Sequence, residues 1–415
     1  MLRIIDCIEA EKLLRRRAAH LSAAEQVAGP ILNAVRRRGD AALLSYARRF
    51  DGLERSTKTV AIPQRSIQEA TESMSPAFRR ALAQASKNIR SFARKQLPKG
   101  WTTGSGGLRT GQIVRPLDAM AAYIPSGRYP LPSTILMTVI PAQVAGVPQI
   151  CVASPRPSAE ILGTAGYLGV GKFFRMGGAH AIAAFAFGTA TVPKVERIVG
   201  PGNIYVAAAK KLLAGEVGID FVAGPSEILI IAEDGDPKVL AMDMLAQAEH
   251  DVDASAILIT TNKKLAAAVA SEVEEQLRSL PTSENARAAI QRNSAIILVS
   301  SLEAAVDLSN RFAPEHLSIP TTSLLRGIRN AGSIFIGPNS PEAAGDYASG
   351  PNHVLPTSGF ASVRAGLSAA DFVKVISVQE LSRAGLKKLA PAITTLARAE
   401  GLEAHARSVE VRLHG

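Results

Sequence analysis

Residues 228–260 read ILIIAEDGDPKVLAMDMLAQAEHDVDASAILIT. Two short, nearly wholly apolar runs, 228–232 and 256–260, bracket a segment that opens on Asp236-Pro237. Apolar runs without alternation suit strands covered on both faces. Asp before Pro supplies an N-cap and a first-turn proline, so a helix starts there. Strand, helix, strand at this spacing is a parallel βαβ unit. The same texture extends in both directions. Further strands are expected at 120–124, 150–153, 172–175, 197–199, 296–299 and 333–336, with amphipathic helical stretches at 158–168, 203–213, 263–280 and 302–312. Ser300 with Glu303 has the pattern of a capping box. The alternation is long enough for two α/β domains with doubly covered parallel sheets.

The ends read differently. Apolar residues recur at helical spacing over 8–50, between the arginine triplets 15–17 and 36–38, with joints expected at Gly29-Pro30 and Gly39-Asp40. Another helix is expected over 76–96, with proline in its first turn. Residues 379–407 return to a mainly helical reading, and 409–413 reads as a short closing strand.

The 415 residues are 47% apolar and 20% charged, which excludes a disordered chain and is too long for one compact core. The formal net charge is +11, which raises nucleic acid as a partner. Its distribution argues otherwise. Residues 1–100 carry 20 Lys/Arg against 9 Asp/Glu, whereas residues 101–415 carry 27 of each. No aromatics interleave with the arginine triplets, so they read as solvated helix faces. Cys7 and Cys151 are the two cysteines, too few for a disulfide framework, and no CxxC pair offers a thiolate zinc site. No apolar run approaches a membrane span, and Asp6, Glu9 and Glu11 break any signal-peptide pattern. A soluble, cytoplasmic protein is the expectation.

The spacing of Gly163, Gly166, Gly169 and Gly171 does not make a usable dinucleotide fingerprint. Met176-Gly177-Gly178-Ala179-His180 and Gly200-Pro201-Gly202-Asn203 are better placed, each after a strand and opening a helix. They are either plain tight turns or places where a backbone and a helix N-terminus meet an anion. Gln247 and His250 stand i and i+3 on a predicted helix and could hold one ion between them. Glu315-His316 precedes an apolar strand start and offers two adjacent bases. Residues 341–357 form a Gly/Pro-rich stretch with Asp346, Asn352 and His353 and no helix or strand period, the profile of a functional loop. Imidazole and carboxylate without thiolate suit Zn²⁺ or a similar divalent ion.

These segments occur together and in order with Tyr123-Ile124-Pro125, Gly224-Pro225-Ser226-Glu227, Pro314-Glu315-His316-Leu317, residues 344–349 and 352–357, Gly366-Leu367-Ser368, Asp371-Phe372, Glu400 and His405. The set resembles the histidinol dehydrogenases over nearly the whole chain. The resemblance implies an α/β fold of two Rossmann-like domains with incomplete parallel sheets, an N-terminal helical segment and a C-terminal helical dimerisation tail. The corresponding divisions are 1–100, 101–225 (NAD side), 226–365 (zinc and catalytic loops) and 366–415.

It further implies an NAD-dependent, zinc-containing homodimer that oxidises L-histidinol through L-histidinal to L-histidine. Zinc would be held by Gln247, His250, Asp346 and, from the partner subunit, His405, and would orient the substrate without accepting hydride. Ser226, His316, His353 and Glu400 would contact substrate alongside these ligands. His316 would take the alcohol proton and act again on the hydrate, and Glu315 would activate the hydrating water. Tyr123, His180 and Asn203 would face NAD⁺; His180 stands where the family usually has glutamine. Three rivals remain open: a dehydrogenase of the same fold acting on another alcohol such as a sulfonated diol, a metal-dependent hydrolase, and a basic nucleic-acid-binding protein. Retention of both Glu400 and His405 speaks for the amino-imidazole substrate.

Overall fold

A computed structural model describes residues 2–6, 8–10, 13, 21–126, 130–222 and 224–414. Cys7 and the triplet 15–17 lie outside the described residues.

Two parallel sheets carry the fold. The first has five strands in the order Lys172–Phe174, Gln149–Ala153, Ala119–Tyr123, Arg197–Val199, Gly218–Ile219. The second has six, in the order Arg3–Ile5, Ala295–Leu298, Ser255–Thr260, Glu227–Ile231, His316–Ile319, Ser333–Ile336. Every pairing in both is parallel. In each the first strand after the preceding helices lies centrally, and later strands build outward first to one side and then to the other. That is the half-Rossmann arrangement the sequence leads one to expect. The sheet interiors explain the uninterrupted apolar runs: Ile228, Leu229, Ile230 and Ile231 are all essentially inaccessible, each worth about 2–3 kcal/mol of burial.

Each sheet is covered on both faces. One face of the first packs against Ser22–Arg38 and Asp40–Phe50, through Ala28, Leu32, Val35, Leu43 and Ala47. The other packs against Pro76–Gln96 and Pro132–Ala145, and the chain returns there late, with Val354, Leu367 and Phe372 in the same core. The second sheet is enclosed by Pro237–Ala248, Lys263–Gln276 and Ser283–Asn293 on one side and by Leu302–Phe312 on the other.

Several expectations are corrected. No joint exists at Gly29-Pro30: one helix runs Ser22–Arg38 with Pro30 inside it. Pro30 and Gln26 are both exposed, so the carbonyl that loses its partner meets water, and the buried stripe Ala24, Ala28, Leu32, Val35 overrides the break. Gly39 is a true joint, its φ of 51° ending one helix before Asp40 begins the next. The cap before Leu302 is Ser301, whose hydroxyl accepts the Ala304 N–H at 3.2 Å, and not Ser300. Residues 409–413 belong to the helix Glu403–His414, in which Ala406 and Val409 share one buried face. The strand Val373–Leu381 occupies the start of the stretch read as helical, in an antiparallel sheet with Leu108–Pro116 and Trp101–Ser105. The triplet 36–38 ends its helix as an exposed basic turn, as expected. Among the described residues, no helix is long and apolar enough to cross a membrane.

Candidate active site

A polar cluster sits at the amino edge of the six-stranded sheet. His316 opens its strand, in register with Ile228 and Ser333. Its Nδ1 lies 3.2 Å from Glu342 Oε1 and 3.3 Å from the Glu227 carbonyl, and its Nε2 lies 3.7 Å from Asp346 Oδ1. Glu315 precedes the strand, so the two neighbours converge: Glu315 Oε2 is 3.8 Å from His316 Nδ1 and accepts the Glu227 N–H at 2.9 Å. Glu227 is fixed in turn by Ser358, whose N–H donates to its carboxylate at 3.1 Å.

The stretch 341–357, expected to lack helical period, contains the short helix Glu342–Tyr347. Glu342 and Asp346 therefore stand one turn apart on one face. His316, Glu342 and Asp346 offer ligand atoms within 4.8 Å of one another. Gln247 is fully buried on Pro237–Ala248, and its amide nitrogen, oriented to satisfy both groups, donates to the Glu342 carboxylate. His250 lies beyond that helix, which ends at Ala248. The turn nonetheless continues: the His250 N–H reaches the Gln247 carbonyl at 3.3 Å, and Nδ1 lies 3.0 Å from the Ala246 carbonyl. A carbonyl only accepts, so Nδ1 carries hydrogen and Nε2 keeps the lone pair a metal needs. His353 Nδ1 donates to the Asp346 carbonyl at 2.8 Å, and its Nε2 lies 3.4 Å from Thr134 Oγ1, which belongs to the other half of the fold.

Burial governs the electrostatics. The His316 imidazole is pushed down to about 4 by loss of water, against the pull of Asp346. His353 is lowered for the same reason. Glu342 is held well above the carboxylate range, first by burial and then by Asp346, Glu315 and Asp243; Asp243 itself is raised to about 6 by burial. Crowded, desolvated carboxylates beside imidazoles are what a divalent cation compensates, so the donor set fits a zinc ion. Ser226 is half-buried just before the strand Glu227–Ile231. Glu400 and His405 do not join the cluster within one chain. They flank the turn between Arg383–Ala399 and Glu403–His414 and are exposed.

The other expected residues gather at the carboxyl edge of the five-stranded sheet. Tyr123 and Gly200 follow from the neighbouring strands Ala119–Tyr123 and Arg197–Val199, where the strand order reverses, the place where open α/β sheets bind ligands. Asn203 caps the helix Ile204–Leu213, its Oδ1 accepting the N–H groups of Tyr205 and Val206 at 3.1 Å each. Gly200 has φ 109°, and a Cβ there would meet the Tyr123 carbonyl oxygen at 2.1 Å. The glycine thus serves a close approach of two backbone segments. Behind the turn, buried Lys210 donates to the Gly200 carbonyl and to Asp220, both at 2.6 Å, and Asp220 accepts the Gly200 N–H at 2.7 Å. The Tyr123 phenol accepts the Gly178 N–H at 3.2 Å and is pushed up to about 12, chiefly by burial. His180 is turned inward, its Nε2 2.7 Å from Asp51.

Glu342, Asp51 and Thr134 complete these surroundings without having been singled out in the sequence, and Glu227 was named there only within its motif. The spacing of Glu342 to Asp346 was a usable helix signal; Asp51, 129 residues from His180, gave none.

A histidinol dehydrogenase family model matches residues 14–413. Proteins named histidinol dehydrogenase from Geobacter metallireducens and Methanothermobacter thermautotrophicus are 47% and 46% identical to this chain, each over 94% of it and over 92% and 94% of their own lengths. The crystal structure of histidinol dehydrogenase from Elizabethkingia anophelis superposes with a TM-score of 0.93 at 35% identity, covering 100% of this chain and 98% of that one. A structure of an acetylating aldehyde dehydrogenase from Geobacillus thermoglucosidasius shares the fold alone, at 12% identity and a TM-score of 0.51. The chain is a member of the histidinol dehydrogenase family.

Proposed function

We propose that the protein oxidises L-histidinol through L-histidinal to L-histidine, the closing chemistry of histidine biosynthesis, with a hydride passing to each of two NAD⁺ molecules in succession. The observation that carries this reading is the buried convergence of Glu315 on His316, whose ring lies with Glu342 and Asp346 in one group of ligand atoms within 4.8 Å of one another. Gln247, His250 and Asp346 would hold Zn²⁺, with His405 of the partner subunit as the fourth ligand. Bound zinc supplies a Lewis acid that orients the imidazole and amino nitrogens of the substrate.

The remaining work falls to the chain. His316, kept neutral by burial, is in the form that accepts a proton. It takes the hydroxyl proton as the carbinol hydride leaves, giving the aldehyde. Glu315, held by the Glu227 N–H, takes a proton from water as that water adds to the aldehyde. His316 gives its proton to the aldehyde oxygen as the water adds, then takes a hydroxyl proton of the hydrate as the second hydride passes to the second NAD⁺, giving the carboxylic acid, which releases its proton as the carboxylate. Ser226, His353 and Glu400 position the substrate, and Tyr123, His180 and Asn203 mark the cofactor edge. Keeping the aldehyde enclosed between steps protects it from amines in solution.

The exposed apolar residues Val375, Val378, Leu396 and Val411 on the C-terminal elements support a homodimer with sites shared between subunits. Nucleic acid and membranes are not partners in this reading, and the enzyme works in the cytoplasm. The rival alcohol dehydrogenase, hydrolase and nucleic-acid readings gain no support from the relatives. The test is NADH formed per L-histidinol consumed, with metal analysis of the same sample: two NADH and one zinc per subunit are expected. One NADH, or no turnover, overturns the proposal.

A further inference from the structure

The geometry points to a buried couple, Asp51 and His180, that fastens the turn at the cofactor edge, making His180 a positioning residue whose side chain does not itself meet the cofactor. This rests on the reading of that edge as the NAD⁺ site. His180 lies in the first turn of the helix Gly178–Phe187 and is 1% exposed. Its Nε2 is 2.7 Å from Asp51 Oδ2. A carboxylate only accepts, so Nε2 carries the hydrogen. The same Asp51 oxygen accepts the Gly177 N–H at 2.9 Å. On the other side, the imidazole meets Tyr46 and Phe50, with ring centroids 5.9 and 6.1 Å away. Asp51 is itself anchored, as the residue that ends the helix Asp40–Phe50, by its N–H to Ala47 at 2.9 Å.

Two N–H groups that a bare helix N-terminus would present to an anion are therefore already used. Gly177 donates to Asp51 and Gly178 to Tyr123. Of the two readings of Met176–His180, the anion-binding one is left with only the N–H groups that follow. What the turn retains is a fixed shape, and that shape is set from outside by a carboxylate of the N-terminal helices. The Nε2 donor of residue 180 is spent on that carboxylate.

The test is steady-state kinetics of intact Asp51→Ala, Asp51→Asn, His180→Ala, His180→Gln and the Asp51→Ala/His180→Ala double variant, with NAD⁺ and L-histidinol varied separately. Both alanine variants are expected to raise the NAD⁺ KM by a similar factor, roughly tenfold, with kcat and the histidinol KM held, and the double variant is expected to be no worse than either. Asp51→Asn and His180→Gln, which keep an acceptor and a donor, should recover most of the loss. A side chain that met the cofactor directly would give a large effect for His180→Ala, little for Asp51→Ala, and additive losses; that pattern overturns the couple. Equal falls in kcat and both KM values tracking melting temperature would reduce it to packing and overturn it as well. Amide deuterium exchange of the wild type separates the two levels: NAD⁺ should protect residues 176–180 and 200–203. Absence of that protection means the site reading fails; protection without an Asp51→Ala effect on NAD⁺ KM means the couple fails.

Discussion

Glu342 reaches two neighbours at once: its Oε1 lies 3.2 Å from Nδ1 of His316, and its carboxylate receives the side-chain amide of Gln247. One buried side chain thus orients both the proposed base and an expected metal ligand. Replacing Glu342 with Gln keeps the volume but offers a single acceptor. A kcat loss of about 10²–10³-fold is expected, with zinc content falling less than activity. Activity assays paired with metal analysis check this, and unchanged kcat would refute the orienting role.

Glu315→Gln separates the two oxidations. Its amide cannot take a proton from water, so histidinal should accumulate or be released while the first NADH still forms. The second step should slow by about 10²–10⁴-fold. Rapid mixing with trapping of the aldehyde measures the ratio of products.

Acid acts on His316 through linkage. Burial pushes its folded pKa down to about 4, below the ordinary histidine value of about 6.5. Between those values the unfolded chain binds the proton and the folded one does not, so this contribution to stability is present above about 6.5 and is lost as pH falls toward 4. The difference is on the order of 3 kcal/mol at most. Urea unfolding of metal-free wild type and His316→Gln, compared at pH 7 and pH 4.5, should show a smaller acid loss in the variant.

Lys210 and Asp220 form an ion pair buried to 2% and 1% exposure behind the Gly200 turn. Lys210→Met leaves Asp220 as an unpaired interior charge and should cost about 3–5 kcal/mol. Adding Asp220→Asn should restore part of it. Denaturant midpoints of the single and double variants report the difference.

Subunit mixing tests the shared site. His405→Ala chains and Glu315→Ala/His316→Ala chains are each expected to be inactive alone. Co-refolded, they should regain about a quarter to a half of wild-type activity, because one heterodimer site draws every defect away from the other. Heterodimers shown to form but without activity would place His405 in its own subunit's site.

The parallel sheets were legible because strands such as Glu227–Ile231 and Ser255–Thr260 are apolar at nearly every residue, and only a doubly covered sheet requires that. The sheet of Trp101–Ser105, Leu108–Pro116 and Val373–Leu381 escaped notice because it is largely exposed in one chain and shows no buried alternation. Residues 409–413 alternate like a strand, and only their packing on Arg383–Ala399 makes them helical. At the site, Gln247, His316 and Asp346 announce themselves by residue type. The partners Glu342 and Asp51 do not, since what distinguishes them is the distant group each faces.

The strand Arg3–Ile5 seals one edge of the six-stranded sheet by pairing with Ala295–Leu298, while the helices that follow it cover the other sheet. On a ribosome adding about 5–20 residues per second, residue 3 waits some fifteen seconds to a minute for its partner to be made. During that interval the first sheet and its cofactor edge can already assemble around a tethered, unpaired β-segment. The six-stranded sheet therefore gains this edge only after residue 295 is made, and the second core of the five-stranded sheet is completed later still, when Val354, Leu367 and Phe372 arrive.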